Sequence, residues 1–315
     1  MPIIGVRLHV RTSRIEPSHK PRRLSKMKLR SIKRSTALPL ALVLLFSAPL
    51  ALHAQSPMDG PPKVLVIDRE FLKPGKSGAL HEKTESNFVR ASIAAKSKSY
   101  YFAVDSMSGP SRSLFFFPYP SFAAWEQDNL NARKNATFAA AMDHASNVDG
   151  ELLSAYEQSA FNLRPDLSYN TGTLVGKRYF EISQYIIRPG HNAEAEELSK
   201  LYLDAYKKAG ITTNWATFEL MYGHETGDVF LYITTMKSLS EADQEITDTA
   251  KFLDSLGDKG RKHLAELTAS CVESAQVNIF EINPKISYPP DEWIKAEPGF
   301  WKPKPTAAPA PKPAP

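Results

Sequence analysis

Residues 69–83 read REFLKPGKSGALHEK and residues 184–198 read QYIIRPGHNAEAEEL, two variants of one phrase 115 positions apart. Each closes a β-rich run, KVLVIDREFLKPG from Lys63 and KRYFEISQYIIRPG from Lys177. The far ends match as well. FNLRPDLSY (161–169) parallels FEINPKISY (280–288), now 119 apart, a drift that a few loop insertions produce. Two matches in the same order, flanking similar patterns, indicate an internal duplication.

Working outward, each half carries the same series of elements. After Pro189-Gly190, Leu198, Leu201, Tyr202, Ala205 and Ala209 recur at helical spacing, with Gly210 as C-cap. The first half offers a weaker stripe of Leu80, Phe88 and Ala91. Hairpins follow: SYYFAVDSM and RSLFFFP around SGPS, then NWATFELMY and DVFLYIT around GHETG. A second helix starts at Ser121 in one half and Ser238 in the other. Ser238–Glu241 has capping-box spacing, and Leu239, Ala242, Ile246, Ala250 and Leu253 form its expected buried stripe. Strands near 157–163 and 275–282 end the halves. The order is βαββαβ twice, the ferredoxin-like unit, with both helices on one face of an antiparallel sheet. Its bare face needs cover, and a second copy supplies it. The expected fold is therefore α+β: two tandem ferredoxin-like repeats, 63–169 and 170–288, packed sheet-to-sheet as an intramolecular α/β barrel.

This plan resembles the dimeric α/β-barrel superfamily, which includes antibiotic-biosynthesis monooxygenase-like, NIPSNAP-like and chlorite-dismutase-like proteins. FFFPYPSFAAWEQD (115–128), a strand running into a helix that opens Ser-Phe-x-x-Trp-Glu, is especially similar. The resemblance covers about 225 residues and lies in architecture. It implies the fold, and activities from oxygenase and haem enzyme to none.

The tails differ from this body. Residues 1–54 hold 11 Lys/Arg and one acid, so 55–315 keeps 28 basic and 33 acidic residues, and the net charge of +5 belongs to the leader. A net-acidic body excludes nucleic acid as a partner class. KMKLRSIKR (26–34), the uncharged run Ala37–Leu52 and LHAQS form a secretory signal pattern, with translation from Met27 and cleavage after Ala54. The apolar run, broken by Pro39 and Pro49, is short of the roughly 20 residues that span a bilayer. The expectation is an exported chain, periplasmic or secreted, without a transmembrane span. Residues 55–62 read as a linker and 289–315 as a Pro-rich disordered tail that Trp293, Phe300 and Trp301 could pin to the body. The single cysteine, Cys271, allows no internal disulfide.

Strand parity offers two faces. Val64, Val66, Asp68 and Glu70 pair in pattern with Tyr179, Glu181, Ser183 and Tyr185. The other face has Leu65, Ile67, Arg69 and Phe71 beside Phe180, Ile182, Gln184 and Ile186. The apolar set is assigned to the helices and the mixed set to the lumen. Cavity candidates are then Asp68, Glu70, Tyr101, Tyr179, Glu181, Tyr185, Trp215, Glu219 and Tyr232, carboxylates and rings suited to a small polar-aromatic or cationic ligand. A buried Glu181 would have a raised pKa and could act as acid or base. His144 and His263, 119 apart, are haem-ligand candidates should haem bind. His81-Glu82 and His224-Glu225 open like HExxH, but Glu85 and Asp228 replace the second histidine, so no zincin site and no metal are expected. No GxGxxG, phosphate loop, GxSxG or CxxC occurs. The reading favoured is a non-catalytic barrel binding a small molecule or an envelope protein. The alternative is a monooxygenase-like or haem-dependent oxidoreductase using the inter-sheet cavity. A scaffold acting through the Pro-rich tail is a third. The internal pair makes a monomer possible and leaves larger oligomers open.

Overall fold

The computed structural model describes residues 60–223 and 227–302. The expected leader, its start at Met27, the cleavage after Ala54, His224 and tail residues 303–315 lie outside the described residues. The first half is β1 (Val64–Leu72), α1 (Ala79–Ala95), β2 (Tyr101–Ser106), β3 (Arg112–Tyr119), α2 (Phe122–Lys134), α3 (Ala136–Gly150) and β4 (Leu153–Leu163). The second is β5 (Tyr179–Ile187), α4 (Asn192–Ala209), β6 (Ala216–Tyr222), β7 (Asp228–Met236), α5 (Ser240–Cys271) and β8 (Val272–Tyr288). The eight strands close in the order β1-β3-β2-β8-β5-β7-β6-β4, every pair antiparallel. Each half contributes a ferredoxin-like sheet, 4-1-3-2 in its own numbering. The seams are β2 on β8, with Val104 opposite Ile282, and β4 on β6, with Asn162 opposite Glu219. Closure satisfies the backbone groups that each sheet alone would leave at its edges.

Local chemistry sets the helix ends. The Ser121 hydroxyl accepts from the Ala124 N–H and starts α2, and the Asn135 side chain accepts from the Phe138 N–H where α3 begins. The second half breaks at the matching point: Gly257, at φ 64°, interrupts α5. The capping box at Ser238 forms differently from expectation, because the Glu241 carboxylate accepts from Lys237 N–H while Ser238 bonds to Ser240. The expected α5 stripe is displaced too. Ile246 is exposed, and Phe252 and Leu267 are the buried anchors.

The lumen is the main core. Leu65, Ile67, Phe102, Val104, Leu114, Phe116, Phe161, Phe180, Ile182, Phe218, Leu231, Phe280 and Ile282 converge there from all eight strands. The faces are thus the reverse of the expected assignment. In a small closed barrel the interior is filled by side chains, and it is the driest place on the chain, so the more apolar set goes there. The mixed set faces the helices. In the second half Tyr185, Trp215, Phe230 and Tyr232 form one cluster with Tyr206 of α4 and Phe252 of α5.

The chain after β8 is ordered further than composition suggested. Two short helices, α6 (Asp291–Ala296) and α7 (Pro298–Trp301), lie across one end of the barrel. Trp293 packs at a tilt on Phe102, ring centroids 5.8 Å apart, and on Trp301 at 5.5 Å. Glu297 fastens this cap by accepting from Arg178 Nη2 at 2.5 Å and from the Gly176 N–H at 2.7 Å. Burial works upward on the Glu297 carboxyl, and these donors overcome it, leaving the pKa below its ordinary value.

Candidate functional site

Two places concentrate possible chemistry, one inside the lumen between the two halves and one between the first half's sheet and its helices. The first is a pocket of about 130 Å³ at the capped end of the lumen. Phe102, Phe116, Phe180, Phe218, Ile233 and Trp293 wall it, with Pro118, Tyr119, Pro120 and Ala216 at the rim. Its polar side chains are few, Asn214, Thr171 and Thr235, and the hydroxyl of Tyr119 is taken up by Asp128 of α2. The Trp293 indole N–H is buried and has no hydrogen-bond partner among the described residues. Such a buried donor costs about 1–3 kcal/mol until something accepts from it.

The second is a cluster between the sheet and α1/α3. Glu70 leaves β1 on its outer face, opposite Ser113 of β3. His81 and Glu85 stand one turn apart on α1, and Asp149 comes from the last turn of α3. The four are 8%, 2%, 2% and 1% exposed, so bulk water solvates none of them. His81 Nε2 lies 3.0 Å from Glu70 Oε2, 3.6 Å from Asp149 Oδ1 and 4.0 Å from Glu85 Oε1. The Thr84 hydroxyl reaches Asp149 Oδ1 at 2.5 Å, and Ser113 Oγ, which donates to Asp105, sits 3.4 Å from His81 Nδ1. Burial pushes the Glu70 carboxyl up, offset in part by its bond to His81. Glu85 is driven well above its ordinary value by burial, then by the charges of Glu70 and Asp149. His81 is raised: burial opposes its charge, but the Glu70 hydrogen bond and the Asp149 charge outweigh that.

The nine expected cavity residues all leave the strands on the outer side and none lines the lumen pocket. Asp68 accepts from Gln158 at 2.8 Å, and Glu219 is tied to Arg164 at 3.0 Å. Tyr101 packs on Phe115, Phe117 and Tyr288. Tyr179 is half-buried at the start of β5. Trp215 donates to the Leu167 carbonyl, and Tyr185 meets Tyr232 edge-on, whose hydroxyl bonds Ser199 at 2.6 Å. Glu181 is raised by burial, as expected of a covered carboxyl, but under α5 near Glu245 and not in the lumen. Of the nine, only Glu70 joins a cluster of potential ligands. His144 is exposed on α3, and His263 is exposed on α5, bonded to Glu197 at 2.7 Å. Both lie on outer helical faces, away from the lumen. Sequence reasoning missed Glu85, Asp149 and the role of His81. The available signal was the weak apolar stripe of α1, whose inward positions 81, 84 and 85 are polar.

No family model and no curated protein matches the chain. Solved structures do resemble it. An anthrone oxidase-like protein is 13% identical with a TM-score of 0.47, covering 71% of this chain and 93% of its own. Chlorite dismutase from Candidatus Nitrospira defluvii is 11% identical at 0.42, covering 74% and 94%. A dye-decolorizing peroxidase from Bacteroides thetaiotaomicron is 8% identical at 0.41, covering 77% and 97%. These likenesses concern architecture and carry no argument about chemistry. The chain's own strand order establishes the ferredoxin-like α/β barrel.

Proposed function

We propose that this protein binds a small aromatic ligand in the pocket at the capped end of its barrel. One observation carries the reading: a ring-lined pocket persists in a lumen that is otherwise filled. An apolar cavity of about 150 Å³ stays dry and accepts benzene or xenon, so about 130 Å³ suits one ring. The unpartnered Trp293 N–H favours a ring bearing an acceptor. No carboxylate, imidazole, amine or thiol is among the lining residues, which suits binding better than acid–base catalysis. The oxidoreductase alternative predicts a Soret band after incubation with haem, lost in His144→Ala or His263→Ala. The exposure of both imidazoles weighs against it. We include export in the proposal, on the leader's pattern. Cell fractionation finding the protein in the cytoplasm would remove that part.

The test is calorimetric titration of the purified chain with indole, p-cresol and toluene. Binding at about 0.1–1 mM is expected for ligands of this size, with a negative heat-capacity change. Ala216→Phe, which fills the rim, should abolish it. Absence of heat with all three, or equal binding by Ala216→Phe, would defeat the proposal.

A further inference from the structure

We propose that Glu70, His81, Glu85 and Asp149 form a binding site for one divalent transition-metal ion, a site separate from the ring-lined pocket.

The donor atoms of these four residues all lie within 4.8 Å of one another. At metal–ligand bonds of about 2.0–2.1 Å, tetrahedral ligands sit about 3.3 Å apart, and opposite ligands of an octahedron about 4.2 Å. Adjacent ligands of an octahedron sit about 2.9 Å apart at the same bond length, so the spacings of 3.0, 3.6 and 4.0 Å from His81 Nε2 fall between the adjacent and the opposite positions. Glu85 Oε1, the atom facing His81, has no hydrogen-bond partner among the described residues, and neither has Asp149 Oδ2. Two carboxylate oxygens on nearly inaccessible side chains thus await a positive group.

The surroundings orient the donors as ligands. Ser113 faces Nδ1 of His81, leaving Nε2 directed at the carboxylates, and Thr84 steadies Asp149. The helical spacing of His81 and Glu85 puts both donors on one face of α1. Three carboxyls facing a single imidazole can all ionise in this dry layer only against a further positive charge, and a divalent cation supplies it. One imidazole with several carboxylates suits Mn²⁺, Fe²⁺ or Zn²⁺.

The duplicated half shows that the fold itself needs no acids there. Tyr185 occupies the place of Glu70 in β5, opposite Phe230 where β3 has Ser113. The layer beneath α4 is closed by Ala195, Ser199 and Tyr232, and the Ser199–Tyr232 pair meets its own hydrogen bonding. One architecture therefore carries neutral side chains beneath α4 in one half and four ionisable donors at the matching place in the other.

The experiment uses the untagged chain, stripped with chelator and titrated separately with MnCl2, ZnCl2 and CoCl2. Readouts are bound metal after desalting, the Co²⁺ absorption spectrum and the melting midpoint. One equivalent of metal per chain, a Co²⁺ d–d band and a raised midpoint reversed by chelator are expected. His81→Ala and the isosteric Glu85→Gln should lose the metal, while His263→Ala keeps it. Circular dichroism establishes that each variant is folded. Should the two cluster variants unfold, the wild-type titration decides alone. No stoichiometric binding by the wild-type chain overturns the proposal, as does undiminished binding by folded Glu85→Gln. Neither result bears on aromatic binding in the lumen.

Discussion

Replacing Phe116 and Phe180 singly and together by leucine reads the barrel's closure directly. Phe116 belongs to the first half and Phe180 to the second, 1% and 2% exposed, with ring centroids 5.9 Å apart across the lumen. Their strands are three places apart around the barrel, so no backbone pairing joins them. Phe116 also stacks on Phe102 at 4.9 Å, and Phe180 touches Phe102 at 5.5 Å. Removing either ring while keeping a branched apolar chain should cost about 1–2 kcal/mol, below the roughly 3–5 of a truncation to alanine. The aromatic pair adds about 0.5–1.5 kcal/mol that only the intact couple makes. The double variant should therefore lose less than the summed single losses by about that amount. Urea unfolding followed by tryptophan fluorescence and circular dichroism supplies the four free energies. Additivity within about 0.3 kcal/mol would refute the reasoning, because residues on separate outer faces are too distant to couple.

Three further outcomes follow from the same structure. Burial, and then the charge of Glu181, hold the Glu245 carboxyl at about 7 against an ordinary 4.5. The folded state keeps a proton that the unfolded state releases, so this group's contribution is intact below about pH 4.5 and declines as pH rises through about 7. Glu245→Gln should match the wild type at pH 4 and exceed it by up to about 3 kcal/mol at pH 8; equal stability at both pH values counts against it. Glu297→Ala should free the C-terminal cap, seen as faster proteolysis between 289 and 302 and a red-shifted tryptophan emission, at about 1 kcal/mol of stability. Unchanged cleavage would show that the tryptophans hold the cap alone. Cys271 is fully buried and burial raises its thiol pKa, so an aromatic disulfide reagent should label it only after denaturant is added.

The element order was legible because its signals are local: Pro-Gly closings, hairpin turns, and a repeat that states each pattern twice. Facing was not legible. Both faces of each sheet are covered, one by the other sheet and one by helices, so alternation shows two sets without saying which is inside. The mixed set suggested a wet lumen; in fact Tyr185, Trp215 and Tyr232 complete a dry helix layer, and Asp68 and Glu219 satisfy themselves on Gln158 and Arg164. The His–carboxylate cluster was hidden for a different reason. Glu70, His81, Glu85 and Asp149 span 80 positions, and only the packing of α1 and α3 on the sheet brings them together. Testing His81 against a second histidine passed over Glu85, which stands at the same helical spacing. In the tail, Trp293 and Trp301, the residues expected to pin it to the body, are buried on the barrel end, and the chain there forms two short helices where its proline content suggested none.

The pocket is tested most directly by a crystal structure of the chain under xenon pressure. A xenon atom is expected at the capped end of the barrel, in contact with Phe102, Phe116, Phe180 and Trp293, where the lumen leaves room for a ring. Ordered water filling that space, or side chains from the two halves closed over it with no xenon bound, would contradict it.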